Sequence, residues 1–398
     1  MKRIFTTIVL LTAVTSGLSA QQALGWGESI VSPEINPDRT VTFRLRAPKA
    51  VTVAVVGDFQ DGPGIMKEEA GVWSYTTEKL EPELYLYSFI VNGSRQLDPA
   101  NVYMSRDVAT WTNYFIVSGE EGDRGSLYLD NKVPHGDVAR VWYDSPTLGL
   151  SRKMTIYTPA GYSAASNKAR YPVLYLLHGA GGDEEAWVTL GRAAEILDNL
   201  IAAGKAEPMI VVMPNGNTNT SAAPGAWSAG MYQPSFGRDP RFPEAKATMD
   251  ESFPDIVRYV ESRYRVRKGA ESRAICGLSM GGGHTFMTSK RYPGMFGYIG
   301  LFSAAITVGN WQDRSKSTLE KMNEDTEFQQ QMAAMFAAGP RLYWIGIGET
   351  DFLKPQNDDL RSWLDSKGFP YEYLESSGGH VWRNWRIYLT VFSRKLFK

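Results

Sequence analysis

An α/β architecture, a mostly parallel sheet covered by helices with a small β-sandwich in front of it, is what this 398-residue sequence predicts, and three observations carry it. From about residue 136 onward, short apolar β-rich runs alternate with stretches of helical period. One of those runs, Ala274, Ile275 and Cys276, passes directly into Gly277, Leu278, Ser279, Met280 and Gly281 and then into a helix-like stretch. Before residue 118 the texture is different, with short alternating strands separated by turn residues.

Taken in order, the chain opens with Met1, Lys2 and Arg3, an apolar run over 4–14 and small residues up to Ala20. This is the layout of a cleavable secretory leader over 1–20, and the run is too short to span a bilayer, which takes about 20 apolar residues. The single cysteine, Cys276, allows no intrachain disulfide and no lipid-bearing cysteine after the leader. The expected location is therefore the periplasm or the medium, with no membrane anchor. Residues 21–118 follow as the β-sandwich, with strands expected over 41–45, 51–56, 72–76, 84–91 and 113–117. The stretch from Gly119 through Glu120, Glu121, Gly122, Asp123 and Arg124 to Gly125 is polar and glycine-rich, so 119–135 reads as a linker.

The remainder, 136–398, is the α/β part, with strands expected over 173–177, 209–213, 274–276, 299–302, 342–347 and 371–374. Phe253, Ile256, Val257, Val260 and Tyr264 recur at helical spacing and end before Gly269. A second helix runs from Gly281 to Tyr292 and is stopped by Pro293. Such alternation places an active site at the carboxyl ends of the strands. The formal net charge is −1, with no basic stripe, which argues against nucleic acid as a partner.

Glycine, any residue, serine, any residue, glycine between a strand and a helix is the spacing of a nucleophile elbow, where flanking side chains would collide with the crossing elements. A serine nucleophile needs a base, a group that orients the base, and donors for the oxyanion. The chain has only four histidines. His135 lies far upstream in a polar stretch, His178 ends a strand, and His284 follows Ser279 on the same helix, pointing away. His380, on the loop after the last strand, is the expected base. The acid is expected after the strand over 342–347, where Asp351 and Glu349 both qualify. The glycine-rich run His178, Gly179, Ala180, Gly181, Gly182 follows an earlier strand and predicts Ala180 and Met280 as the amides that receive the oxyanion. Trp187, Trp227, Trp311, Trp382 and Trp385 are the expected aromatic walls for substrate, and the loop 215–227 the expected mouth of the site. Cys276 reads as a small buried hydrophobe.

Together, His178 to Gly182 with Trp187, Gly277 to Gly282, Gly348 to Leu353, and Gly379, His380, Val381, Trp382 with Trp385 and Arg386 resemble carbohydrate esterase family 1. These are the esterase D-like α/β-hydrolases that include feruloyl and acetylxylan esterases. Val133, Pro134, His135 and Gly136, with Tyr157, Thr158, Pro159, Gly161 and Tyr162, look like the start of that catalytic domain. The resemblance covers about two thirds of the chain. It implies a triad of Ser279, Asp351 and His380, which prefers Asp351 over Glu349, and it implies no cofactor or metal. The implied activity is a feruloyl esterase releasing ferulate and related hydroxycinnamates from arabinoxylan, with feruloylated or acetylated xylan oligosaccharides as partners. The alternatives are an acetylxylan esterase, an acyltransferase, and a non-catalytic glycan-binding protein on the same scaffold. Val56, Gly57, Asp58 and Phe59, with Gly71, Val72 and Trp73 and with Tyr87, Ser88, Phe89, Val91, Asn92 and Gly93, resemble the immunoglobulin-like early-set modules grouped with carbohydrate-binding module family 48. Trp73 and Phe89 are expected in the core of that module rather than on a glycan platform.

Overall fold

The computed structural model describes residues 30–108, 110–218, 245–310, 312–313 and 315–398. The expected leader, Trp227 and Trp311 lie outside the described residues.

The N-terminal strands are β1 (Glu34–Ile35), β2 (Val41–Arg46), β3 (Val53–Gly57), β4 (Gly64–Ile65), β5 (Lys67–Glu69), β6 (Val72–Thr76), β7 (Glu83–Val91), β8 (Ser94–Gln96), β9 (Met104–Asp107) and β10 (Thr110–Val117). They form two antiparallel sheets, β1-β2-β6-β5 and β4-β3-β7-β10-β9, with β8 paired to β7. Alternate residues of β2, Val41, Phe43 and Leu45, meet Val55, Tyr87, Phe89 and Phe115 of the second sheet in one core, as period-two patterning requires. The other face of β7 and β10 is also covered. Leu84, Leu86, Tyr114 and Ile116 pack into the hydrophobic cluster that contains Trp187, Leu197 and Leu389 of the α/β part.

Two parts of this region depart from expectation. Strand β9 has no apolar alternation to announce it, yet it pairs with β10, so that Arg106 faces Trp111 and Asp107 faces Thr110. The stretch 119–135 is not a free linker. It contains a short helix, α1 (Arg124–Leu127), capped by Asp123, whose carboxylate accepts the Ser126 amide at 2.7 Å. Tyr128 is buried, and the Asn199 side chain donates to the carbonyls of Leu127 and Leu129. Polar composition predicts a solvated spacer only while no partner supplies hydrogen bonds; here Asn199 supplies them.

The second part carries β11 (Asp137–Ser145), β12 (Leu150–Thr158), β13 (Val173–Leu177), β14 (Ile210–Pro214), β15 (Arg273–Leu278), β16 (Tyr298–Phe302), β17 (Leu342–Gly348) and β18 (Glu372–Ser376) in the order β11-β12-β14-β13-β15-β16-β17-β18. Strands β13 to β18 run parallel, while β11 and β12 form an antiparallel hairpin at one edge. The hairpin was not expected, because an edge strand solvated on one face, interrupted by Asp137, Arg140 and Asp144, lacks the continuous apolar run of the central strands. The central strands are buried throughout.

Helices cover both faces: α2 (Ala186–Thr189), α3 (Ala193–Ala202) and α9 (Trp382–Ser393) on one, α4 (Met249–Arg263), α5 (Met280–Arg291), α6 (Thr318–Glu324), α7 (Thr326–Ala337) and α8 (Lys354–Lys367) on the other. Helix α4 begins four residues before its first expected apolar position, at a capping box of Thr248 and Glu251. The chain leaves β13 for neighbours on both sides, β14 and β15, so the crevice at the carboxyl ends of these strands is where a site belongs.

Candidate active site

Strand β15 ends at Leu278 and helix α5 starts at Met280, so Ser279 alone makes the turn. Its backbone sits at φ 54 and ψ −115, a conformation costing about 1–3 kcal/mol for a residue with a side chain. Three hydrogen bonds hold it there: its amide donates to Phe302 at 2.9 Å, and its carbonyl accepts from Gly283 at 2.9 Å and Ala305 at 3.0 Å. A Cβ on Gly277 would lie 2.6 Å from the carbonyl carbon of Gly281, and one on Gly281 would lie 2.5 Å from the carbonyl oxygens of Leu177 and His178. Those are backbone atoms of a strand and a helix that cannot yield, which is why the motif needs glycine at both places.

The loops after β17 and β18 bring Asp351 and His380 together. The carboxylate oxygens of Asp351 lie 3.0 and 2.9 Å from Nδ1 of His380. An ionised carboxylate accepts only, so Nδ1 carries the proton and Nε2 is left free to accept one. Burial pushes the Asp351 carboxyl up, but hydrogen bonds from His380, the Leu353 amide and the Ser303 hydroxyl outweigh it and hold it below the usual range. Glu349 is exposed and accepts the Gly378 amide at 3.4 Å, so it touches the histidine's loop and not its ring. That loop is braced by Asn384, which donates to the Gly379 carbonyl at 2.9 Å. Trp385 meets the His380 ring edge-on at 4.9 Å and donates to the Ser303 hydroxyl at 3.2 Å.

The third component is the loop after β13. A Cβ on Gly179 would come within 3.3 Å of Ser279 Cβ, so this loop lies directly against Ser279. Nε2 of His178 accepts the Gly216 amide at 2.9 Å, which leaves Nδ1 to donate to the Gly179 carbonyl at 2.8 Å. The Gly182 amide donates to the same carbonyl at 3.1 Å. In a trans peptide the N–H points opposite to the C=O, so two donors fixing the Gly179 carbonyl also fix the direction of the Ala180 N–H. Burial pushes the His178 imidazole down, which keeps it in the neutral form this bonding needs. The Met280 amide opens α5, where the first turn leaves N–H groups without helical partners.

The remaining histidines are outside this cluster: His135 pairs with Asp198 at 3.1 Å, and His284 is half-buried in α5. Cys276 is buried and its thiol is pushed well up by that burial.

The aromatic walls need correction. Trp187 is 1% exposed and donates its indole N–H to the Leu177 carbonyl at 3.0 Å, so it is core beneath the glycine-rich loop and not a substrate contact. Trp382 is buried as well, edge-on to Trp187 and Trp385 at 5.3 and 5.1 Å. A tryptophan beside a motif in sequence carries no sign of which way it turns, and here both rings pack against other aromatic rings of the core. Trp227, Trp311 and the mouth loop beyond residue 218 lie outside the described residues. What sequence reasoning missed is Phe352, 70% exposed, with its ring 4.5 Å from that of His380; its adjacency to Asp351 was the available signal. It also missed Ser303 and Asn384, and Asp107 of β9, which accepts the Trp382 indole N–H at 3.4 Å. Nothing local in the sequence marks these.

A family model described as putative esterase matches residues 145–396. An endo-1,4-beta-xylanase/feruloyl esterase of Xylanibacter ruminicola is 30% identical over 376 residues, covering 92% of this chain and 46% of that protein. A solved ferulic acid esterase superposes with a TM-score of 0.51 at 26% identity, over 65% of this chain and 97% of its own. The enterobactin esterase of Shigella flexneri superposes with a TM-score of 0.61 at 17% identity, over 90% of this chain and 92% of its own, a likeness of fold. The chain spans about half the length of the curated relatives it matches.

Proposed function

The chain belongs to the putative esterase family, and from that premise we propose that it is a serine carboxylic-ester hydrolase, a feruloyl esterase that releases ferulate and related hydroxycinnamates from feruloylated xylan. The observation that carries this reading is the Asp351–His380 pair, which leaves Nε2 as a base, held at Ser303, whose chain neighbour Phe302 accepts the amide of Ser279 in its strained turn. Nε2 of His380 takes the proton from Ser279 as the hydroxyl oxygen attacks the ester carbonyl. Asp351 holds the imidazole and stabilises the imidazolium. The amides of Ala180 and Met280 receive the oxyanion. The imidazolium then protonates the leaving alcohol, and water, deprotonated by His380, releases the acid.

The acyl group is argued from the relatives named above and from Phe352, an exposed ring beside His380 against which a flat hydroxycinnamoyl ring can pack. The N-terminal sheets we read as an immunoglobulin-like early-set module of the kind grouped with carbohydrate-binding module family 48, and residues 1–20 as a leader that sends the protein to the periplasm or the medium.

The test is a paired assay of the purified protein on methyl ferulate and acetylated xylan, with Ser279→Ala as control. Ferulate release is expected, reduced by about 10⁴- to 10⁶-fold in the variant, and Phe352→Ala is expected to raise KM for the feruloyl ester. Acetate release alone would keep the mechanism and replace the acyl group; full activity in Ser279→Ala would overturn the reading.

A further inference from the structure

The β9–β10 hairpin of the N-terminal sheets reaches the catalytic site, and its tip touches both sides of it. On one side the guanidinium of Arg106 donates to the Gly181 carbonyl at 3.1 Å and pairs with the Asp183 carboxylate. On the other, Asp107 accepts the indole N–H of Trp382, two residues past His380. The next residue, Val108, is β-branched yet sits at φ 50, a conformation such a side chain avoids unless its surroundings impose it. Its side chain presses on the glycine-rich loop so closely that a Cβ on Gly181 would come within 2.7 Å of Val108 Cγ1. Arg106 also donates to the Val108 carbonyl, tying the tip together.

These contacts reach the peptide that carries the oxyanion donor through one intervening peptide. The Gly181 carbonyl and the Gly182 N–H belong to one planar unit, so the guanidinium on that carbonyl sets where the Gly182 N–H points. That N–H donates to the Gly179 carbonyl, whose own planar unit ends in the Ala180 N–H. Two rigid peptides in series thus connect Arg106 to Ala180. The loop's other end is held by the same side chain through Asp183, whose carboxylate also accepts the Glu185 amide at 2.8 Å.

We propose that Arg106, from outside the esterase fold proper, is a positioning residue that aims the Ala180 amide at the oxyanion, so that the N-terminal hairpin is part of the catalytic machinery. This rests on the esterase reading of the Ser279 site. A guanidinium is required because it presents several donors in a fixed fork, to a carbonyl and a carboxylate at once; an ammonium keeps the charge and loses the fork.

The test uses the full chain with Arg106→Lys and Arg106→Ala, read in two ways: kcat and KM on methyl ferulate, and the second-order rate at which a fluorophosphonate labels Ser279, since its phosphoryl oxygen occupies the same hole. In both variants kcat and the labelling rate are expected to fall together, by roughly 10- to 100-fold, with KM within about threefold. Arg106→Lys keeps the pairing with Asp183 and is expected to hold its melting temperature near that of wild type, which separates aim from loss of fold. Unchanged kcat and labelling in both variants would overturn the proposal, as would losses that merely follow the melting temperature. If wild type labels but releases no ferulate, the substrate reading fails and the labelling rates alone decide the role of Arg106. Absence of labelling in wild type would overturn both.

Discussion

Asp351 and Glu349 stand two residues apart on one loop, yet only Asp351 meets His380. The difference is one of direction: the Asp351 carboxylate is buried and takes bonds from the Leu353 amide and the Ser303 hydroxyl as well as from the imidazole, whereas Glu349 stays at the surface beside Gly378. Replacing Asp351 by Asn presents an amide to Nδ1 and favours the tautomer with its proton on Nε2, which removes the base. A loss in kcat of about 10⁴-fold is expected, with Glu349→Gln within a few-fold of wild type, both measured on a soluble ester. The reverse order would transfer the orienting role to Glu349. Ser279 and His380 were legible in the sequence because one sits in a spaced glycine motif and only three other histidines compete with the second. Ser303 was not, because a serine at a strand end announces nothing until Asp351 and Trp385 are seen to converge on it.

At the scale of elements, two histidines other than His380 bear on how stability depends on pH. His178, at the exit of β13, is buried and His284, in α5, is half-buried with its Nδ1 enclosed, and desolvation pushes each imidazole down, His284 to about 4 from an ordinary 6.5. His284 is pushed down further by His178, while Asp250 opposes the shift. An imidazole whose folded pKa is depressed is protonated first in the unfolded chain as pH falls. Its contribution is therefore intact above the unfolded value and is lost between that value and the folded one. Stability is expected to drop below about pH 6.5, and His284 accounts for about 1–2 kcal/mol of that by pH 5. His284→Leu keeps the volume without the titration, so its urea midpoint should fall less between pH 7 and pH 5 than that of wild type; parallel curves would refute the assignment. The elements themselves are unevenly legible in the sequence. Central strands such as β13 and β16 are continuous apolar runs and were found, whereas the edge hairpin β11–β12 and the polar strand β9 are defined by their pairing partners and were not.

Across the whole molecule, the two parts are joined by a buried ion pair between residues 303 positions apart: Arg386 Nη2 reaches Glu83 Oε1 and the Leu84 carbonyl, each at 3.0 Å, and Nη1 reaches the Leu190 carbonyl at 3.0 Å. Both side chains are buried, so the guanidinium depends on the carboxylate, which Arg124 Nε also reaches at 3.6 Å. Glu83→Leu strands the guanidinium and is expected to cost about 3–5 kcal/mol, with Glu83→Leu/Arg386→Met recovering part of it, measured by denaturant unfolding. A single variant as stable as wild type would show that the pair does not join the parts. The apolar face of β7 and β10 against α3 and α9 adds to this joint, so unfolding is expected as one transition. By itself the sequence determined the α/β alternation, the sheet-rich N-terminal part, the sharp turn at Ser279, the loop that carries His380, and the glycine-rich loop after β13, because each is a local pattern of spacing, period or glycine that backbone sterics enforce. Only the tertiary structure decided that 119–135 is packed rather than free, that Trp187 and Trp382 turn inward, that Phe352 faces the site, and that Arg106 and Asp107 reach it from another sheet. Those outcomes depend on which surfaces meet once the chain closes on itself, and a side chain finds its partner across hundreds of residues by burial and hydrogen bonding, which no local pattern records.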